Sequence, residues 1–282
     1  MKVKIIEYTE LTPELAAAGC LVLNMPNDAY HSYRGISKSG LDLIDRSPAH
    51  FAYKERSDAT SAMVIGSALH SAVLEPESFN KDYMLLRDVN DKRSSAYKEA
   101  VKVHGADYVL TGKEADSIIY MQQAVNNNLH ASALLDAEGW AEVAVFATDP
   151  ETGVLVKCKF DKLIKKGFNS VDLKTTQDLR DFNKSVANYR YHVQAAFYSD
   201  VFEWATGIEA GHFDFLAVEK DTPCISRIFR LDTAAIQYGR KLYRQNLNTY
   251  AECLKNNDWP MPDGGLEYIG LPYWAADPDM EI

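Results

Sequence analysis

Asp161 and Asp172, with Lys174 two residues beyond the second, are the residues of this chain whose types and spacing most directly suggest chemistry. Around them Val154, Val156, Cys158, Phe160 and Ile164 alternate with Lys157, Lys159 and Asp161, and Val171 and Leu173 alternate with Asp172 and Lys174. That period predicts two strands joined by the turn Lys165-Lys166-Gly167-Phe168-Asn169. A turn centred between Lys166 and Gly167 sets Asp161 opposite Asp172, Lys159 opposite Lys174 and Phe160 opposite Leu173. Every apolar residue then falls on one side and both aspartates on the other, and a one-residue slip would destroy the match. Directly paired side chains have Cβ atoms about 4.5–5.5 Å apart. Two carboxylates that close repel unless a cation lies between them, and hard divalent ions such as Mg²⁺ favour carboxylate and carbonyl oxygens. With a lysine beside the pair, this is equipment for metal-assisted phosphodiester hydrolysis. The same residues would also make plain cross-strand Asp–Lys salt bridges on a solvated sheet, and spacing alone does not separate the two.

The elements that must position this hairpin follow from periodicity. Upstream, GWAEVAVFATDPETG alternates Ala141, Val143 and Val145 with Glu142, Ala144 and Phe146. A turn at Pro150–Glu151 would pair Glu142 with Lys159, diagonal to Asp161, bringing a third carboxylate towards the site. Farther upstream, Ser61–Leu74 reads as a helix ended by Pro76. Gly66, Leu69, His70 and Val73 share one face of it, and the glycine is expected to let a neighbour approach closely. A histidine in such a place is commonly a satisfied core residue. Downstream, Asp178–Asn188 and Tyr191–Thr206 read as helices, the second carrying His192, Gln194 and Tyr198. His212–Lys220 and Cys224–Asp232 read as strands, and Thr233–Asn256 as a long helix.

The rest of the helical half is simpler. SKSGLDLIDRS predicts a helix with Ser37 or Ser39 at its N-cap, residues 48–57 add a turn, and helices are expected at 94–104, 113–127 and up to Asp136. Residues 1–35 read as irregular, with short strands near Val3–Tyr8 and Leu21–Leu23. The order is helices, three antiparallel strands, two helices, two strands and a helix. It implies an α/β core, one central mixed sheet flanked by helices, with an N-terminal helical region. The expected organisation is one domain: a helical part at about 1–138, a sheet-centred core at about 139–257 and an acidic tail at about 258–282. Trp259-Pro260 and Tyr273-Trp274 are its expected anchors.

Composition narrows the class. The 282 residues, 46% hydrophobic and 25% charged, can bury a sizeable core. No apolar run approaches the roughly 20 residues of a membrane span. The start MKVKIIEYTE lacks the apolar centre of a secretion signal, and the four cysteines form no CxxC pair, so a cytoplasmic protein with reduced thiols is expected. There is no phosphate-cradling glycine loop. Net charge is −10, yet Gly153–Arg190 holds nine Lys and Arg against four Asp, a net +5 within an otherwise acidic chain. That strip is either a solvated basic hairpin or a face for a polyanion.

The ordered motifs GSALH, KFDKLI, VDLKTT and HVQAAFYSD resemble those of the RecB-type branch of the PD-(D/E)xK (restriction-endonuclease-like) nucleases. There, a G-x-x-x-H helix, an Asp strand, a D-x-K strand and a Q-x-x-x-Y helix follow one another. Lys157–Asp200, together with ISKSGLDLIDRSP, IGSALHSAVLEPESF and NDWP, resembles the RecE-type exonucleases more narrowly, over most of residues 30–275. The motif's proline before the first Asp is Phe160 here.

The resemblance implies that Asp161, Asp172 and the Leu173 carbonyl ligate Mg²⁺ or Mn²⁺, that His70 is a further ligand or sits beside the metal, and that Lys174 positions or activates the attacking water. Glu142 would hold a metal-bound water or a second ion. Gln194 and Tyr198 would touch the DNA backbone or buttress the site, Lys159 would face the DNA, and Arg34, Ser37 and Lys38 would meet a 5′ phosphate. It further implies 5′-to-3′ digestion of linear double-stranded DNA leaving 3′ single strands. A homo-oligomeric ring (trimer or tetramer), a RecT-type annealing partner and a phage or prophage setting come with it. An endonuclease on the same core, an inert DNA-binding scaffold and an enzyme of small phosphates are the alternatives.

Overall fold

The computed structural model describes residues 3–55 and 59–272. Its strands are β1 (Ile5–Glu7), β2 (Cys20–Leu23), β3 (Met84–Leu86), β4 (Val109–Thr111), β5 (Gly139–Thr148), β6 (Leu155–Ile164), β7 (Ser170–Thr176), β8 (Phe213–Glu219) and β9 (Ser226–Arg230). The first six α-helices are α1 (Pro13–Ala18), α2 (Asn27–Ser32), α3 (Lys38–Arg46), α4 (Pro48–Ala52), α5 (Ser61–Leu74) and α6 (Pro76–Asp82). They are followed by α7 (Ser95–His104), α8 (Gly112–Asn126), α9 (Leu129–Asp136), α10 (Phe182–Asn188), α11 (Tyr191–Thr206) and α12 (Thr233–Asn256).

Seven strands form one mixed sheet in the order β1-β2-β5-β6-β7-β8-β9, while β3 and β4 pair separately. Within the seven-stranded sheet neighbours run parallel at β1/β2 and β7/β8 and antiparallel elsewhere, and β3 and β4 run parallel. The parallel pair β7/β8 needs a long crossover, which α10 and α11 supply. Ser170–Leu173 and Phe213–Val218 are buried without interruption, as expected where helices cover both faces of a sheet. On one face α3, α11 and α12 pack Leu41, Ile44, Phe197, Phe202, Tyr243 and Leu247 against Val145, Val156 and Phe160. On the other, α5, α8 and α9 pack Leu69, Ile118, Met121 and Ala131 against Val171, Leu173 and Leu216. Each large side chain so buried contributes about 1.5–3 kcal/mol. Gly239 permits the α11–α12 contact: a Cβ there would lie 2.1 Å from the His192 carbonyl oxygen.

The hairpin keeps its expected register, with Lys162 opposite Val171 and Leu163 opposite Ser170. Its division into one apolar and one polar side does not hold. Phe160 and Leu163 enter the α11-side core, and Ile164 and Leu173 the α5-side core. Two causes combine. Helices on both faces demand apolar residues on both faces. In addition, the β5–β6 ladder skips Glu142 and Asp161, between the pairs Ala141–Lys162 and Val143–Phe160. Glu142 there has a left-handed φ of 48°, which kinks the strands and shifts their alternation by one.

Three further expectations change. The buried stripe of α5 is Val64, Ala68, Leu69 and Ala72, and Gly66 has no neighbour within 4 Å of where a Cβ would stand, so it serves no close packing. The β5–β6 turn closes with Asp149 N–H on the Val154 carbonyl and Gly153 at φ 73°, so Lys159 pairs with Ala144 rather than Glu142. Residues 1–35 hold α1 and α2 besides the two strands. Trp259 does anchor the tail, stacking on Phe51 at 5.4 Å. Tyr273-Trp274 lie outside the described residues.

Candidate active site

The hairpin opens where its chemistry begins. Beyond the Lys162–Val171 pair the β6–β7 ladder stops, at the point where Asp161 also drops out of the β5–β6 ladder, while β7 continues along β8 through seven paired positions. The Leu173 N–H, freed from β6, donates instead to Asp161 Oδ2 at 2.8 Å. His70, from α5, closes the group: Nδ1 is 3.3 Å from the same Asp161 oxygen and Nε2 is 2.8 Å from the Leu173 carbonyl oxygen. Glu142, aimed by the kink in β5, brings its carboxylate to the same place. One donor atom from each of His70, Glu142 and Asp161 lies within 4.8 Å of the other two.

Asp172 sits on the other side of β7, almost fully buried. Its Oδ1 accepts from Gln194 Nε2 at 2.6 Å, and its Oδ2 lies 2.5 Å from Lys174 Nζ. Lys174 also lies 5.0 Å from the centre of the Tyr191 ring and opens into a cleft of about 430 Å³. Lys38, Tyr189, Arg190 and Gln194 line the same cleft.

The electrostatics separate these groups. Burial pushes His70 down, but the Asp161 carboxylate outweighs it and holds the imidazole up at about 9. Burial would raise Asp161, and His70, Lys174 and the Leu173 N–H more than offset it, holding it low. Asp172 and Glu142 both go up: burial dominates, and the Asp161 charge adds repulsion that Lys174 and Lys159 do not cancel. Lys174 is held up against burial by Asp172 and Asp161. Buried carboxylates raised first by burial and further by the Asp161 charge mark a place that favours additional positive charge. The donor set, carboxylate and carbonyl oxygens with one imidazole, fits a divalent cation.

The other expected site residues divide. Lys38 reaches the cleft, with Nζ 2.6 Å from the Tyr189 carbonyl oxygen and 2.7 Å from Asp42. Ser37 occupies the N-cap position of α3, its Oγ 3.0 Å from Ser39 Oγ. Arg34 is exposed on a different side, near Glu14 of α1. Lys159 does not face outward: it is bound to Glu142 and to Asn27 Oδ1, each at 2.7 Å. Gln194 holds Asp172, which makes it a buttress of the site. Tyr198 packs its ring against Phe160 at 5.3 Å and Phe213 at 5.9 Å, a core position rather than a DNA face.

The basic strip is largely consumed within the chain. Lys157 is buried, and its Nζ caps the end of α2 through the Tyr30, His31 and Tyr33 carbonyls. Lys165, Arg180, Lys184 and Arg190 pair with Glu138, Asp178, Asp181 and Asp45. Sequence reasoning missed the Tyr189-Arg190-Tyr191 junction, where Arg190 takes a left-handed φ of 54° between α10 and α11. Its only sequence signal is the aromatic–basic–aromatic run immediately before the Gln194 helix.

Residues 37–272 match the model of a family described as a PDDEXK-like domain of unknown function, DUF3799. The chain belongs to that family. The PD-(D/E)xK assignment suggested by the motifs therefore stands, and with it the fold: a large mixed sheet flanked by helices. Among solved structures, a candidate exonuclease from Eubacterium rectale is 16% identical and superposes with a TM-score of 0.62, covering 84% of this chain and 88% of that one. A second, SSO0001, is 14% identical over 77% of this chain and 88% of its own, with a TM-score of 0.28 that carries no weight. A search of curated proteins finds no match. Among the described residues no helix is long and apolar enough to cross a membrane.

Proposed function

We propose that the chain is a metal-dependent exodeoxyribonuclease of the RecE type, acting as a single nuclease domain on linear double-stranded DNA from the 5′ end. The observation that carries the reading is the convergence of His70, Glu142, Asp161 and the Leu173 carbonyl within reach of the Lys174 charge, Lys174 itself lining an open cleft. Asp161, the Leu173 carbonyl, His70 and Glu142 would hold Mg²⁺ or Mn²⁺, with Asp172 adjoining. Such a cation lowers the pKa of water and neutralises charge on the phosphate.

The chain's own groups do the rest. Lys174 presents an ammonium to the phosphate, stabilising the charge that grows on its oxygens as the bond to the 3′ oxygen breaks. Gln194 fixes the Asp172 carboxylate, and the Leu173 N–H fixes that of Asp161. Lys38 at the cleft is placed to meet a backbone phosphate.

The 5′-to-3′ polarity, the 3′ single-stranded product, a trimeric or tetrameric ring and a RecT-type annealing partner rest on the motif resemblance. So does a role in recombination in the cytoplasm of a phage-bearing host. The experiment is digestion of linear duplex labelled at one 5′ end, with and without Mg²⁺, beside a closed circular duplex. Release of labelled mononucleotide from linear DNA alone, and only with Mg²⁺, is expected. Cutting of the circle would make it an endonuclease, and inertness towards both would leave a DNA-binding scaffold.

A further inference from the structure

Three aromatic rings climb from the sheet beside the catalytic lysine. Phe215, on β8 opposite Asp172, stacks with Tyr191 at 5.4 Å and 24°, and Tyr191 stacks with Tyr189 at 5.6 Å and 29°. The column ends in solvent, since Tyr189 is 62% exposed while lining the same cleft as Lys174. An exposed tyrosine needs no explanation by itself. This one is held in place at some cost.

Arg190, next to it, adopts a left-handed backbone that a residue with a Cβ enters only at roughly 1–2 kcal/mol. Its guanidinium pairs with Asp42 and Asp45 of α3. Lys38 donates to the Tyr189 carbonyl at 2.6 Å. The α10–α11 junction is thus clamped to α3, and the clamp fixes the ring.

We propose that Tyr189 is a stacking platform for one nucleobase of the strand being cut, the base prolonging the Phe215–Tyr191–Tyr189 column. The proposal rests on the nuclease reading of the site and adds a substrate determinant to it. Aromatic faces accept any base, so the platform gives grip without sequence preference. A base inside a duplex has both faces covered by its neighbours. Only a terminal or unpaired base can offer a face to Tyr189, so the platform favours a nucleotide already separated from the helix. Lys38 and Lys174, lining the same cleft, suit the phosphates on either side of that nucleotide.

The test is equilibrium binding, without divalent cation, of a short single-stranded oligonucleotide whose end base is the fluorescent analogue 2-aminopurine. Wild type is expected to change its fluorescence on binding. Tyr189→Ala should lose that change and bind about tenfold more weakly, whereas Tyr189→Trp should keep both. An abasic end should cost the wild type the same factor and cost Tyr189→Ala nothing further. Equal binding by wild type and Tyr189→Ala, an equal abasic penalty in both, or no binding of the oligonucleotide by wild type would each overturn the platform. The two readings fail separately. Stacking that depends on Tyr189 without hydrolysis under any condition would sink the nuclease and leave the platform. Mg²⁺-dependent hydrolysis unaffected by Tyr189→Ala, with unchanged binding, would do the reverse.

Discussion

Two clefts of nearly equal size, about 430 and 440 Å³, lie on this molecule, and both are lined by acids, bases and aromatic rings. In the second, between α11, α12 and the β5–β6 turn, each guanidinium is matched to a carboxylate. Arg240 grips both oxygens of Asp200 at 2.7 Å, and Arg244 lies 2.9 Å from both oxygens of Asp149. Burial would raise Asp149, but Arg244 and the Thr152 hydrogen bonds win and hold it low. Beside the first, reached through Lys174, Asp172 and Glu142 are raised, because burial and a neighbouring carboxylate outweigh their lysines. In and beside it, Asp172 Oδ2 meets only the Lys174 ammonium and Asp42 Oδ1 meets Arg190 Nε only at 3.4 Å, ion pairs without the hydrogen-bond geometry that the arginines of the second cleft achieve. Size and residue type do not distinguish a site from a brace. What distinguishes them is whether the carboxylates are held low by their partners, as at the second, or are left raised despite theirs, as beside the first. A saturated network stabilises the fold, and an incomplete one has interactions left for a cation and a phosphate.

The comparison breaks most visibly through activity. Lys174→Ala or Asp172→Ala should lower Mg²⁺-dependent digestion of linear duplex by about 10²–10³-fold or more, with the circular dichroism of the folded protein unchanged. Activity retained in either variant would remove the first cleft from the chemistry.

Arg244→Ala should do the opposite. It leaves the fully buried Asp149 charge without its partner, a change that costs about 3–5 kcal/mol. The denaturant midpoint should fall while activity per folded molecule stays. A stable Arg244→Ala protein would mean the second cleft is not a brace.

The same ion pair sets a pH dependence. The folded Asp149 carboxyl lies below its unfolded value of about 3.9, so its stabilisation is present above that value and lost as pH falls through the folded one. Wild-type stability should therefore drop below about pH 4, and Arg244→Ala should flatten that part of the curve, as read by urea midpoints against pH.

The smallest expected difference separates two residues of one helix. Gln194→Ala frees the Asp172 carboxylate and should lower kcat about tenfold, the size of one lost hydrogen bond to a charged group. Tyr198→Phe keeps the ring against Phe160 and should change kcat by less than about twofold.

Much of this was legible along the chain because it is local. Alternation gave the strands and the turn around Gly167 set the hairpin register, but the direct facing of Asp161 and Asp172 expected from it is lost where the ladder ends at Lys162–Val171. The helix bearing His70 was bounded by Ser61 and Pro76, although its distance from Leu173 is a property of packing between segments a hundred residues apart. What stayed hidden has a common cause. The opening of the hairpin coincides with the break in the β5–β6 ladder at Asp161, a feature that alternation does not reveal. The kink at Glu142 depends on a backbone angle that a glutamate does not advertise. The fate of the basic strip depends on partners from α2, α3 and the end of α9, so nine positive charges read as a surface when most were already paired. The Tyr189-Arg190-Tyr191 junction was invisible as a site because its left-handed turn carries no glycine.

The central claim is that the His70–Glu142–Asp161 cluster beside the first cleft takes up a divalent cation. Calorimetric titration of Mn²⁺ into the protein without DNA, comparing wild type with Asp161→Asn, tests it most directly. The account predicts saturable binding to wild type that Asp161→Asn abolishes while the fold persists. Equal binding to both proteins, or none to wild type, would contradict it.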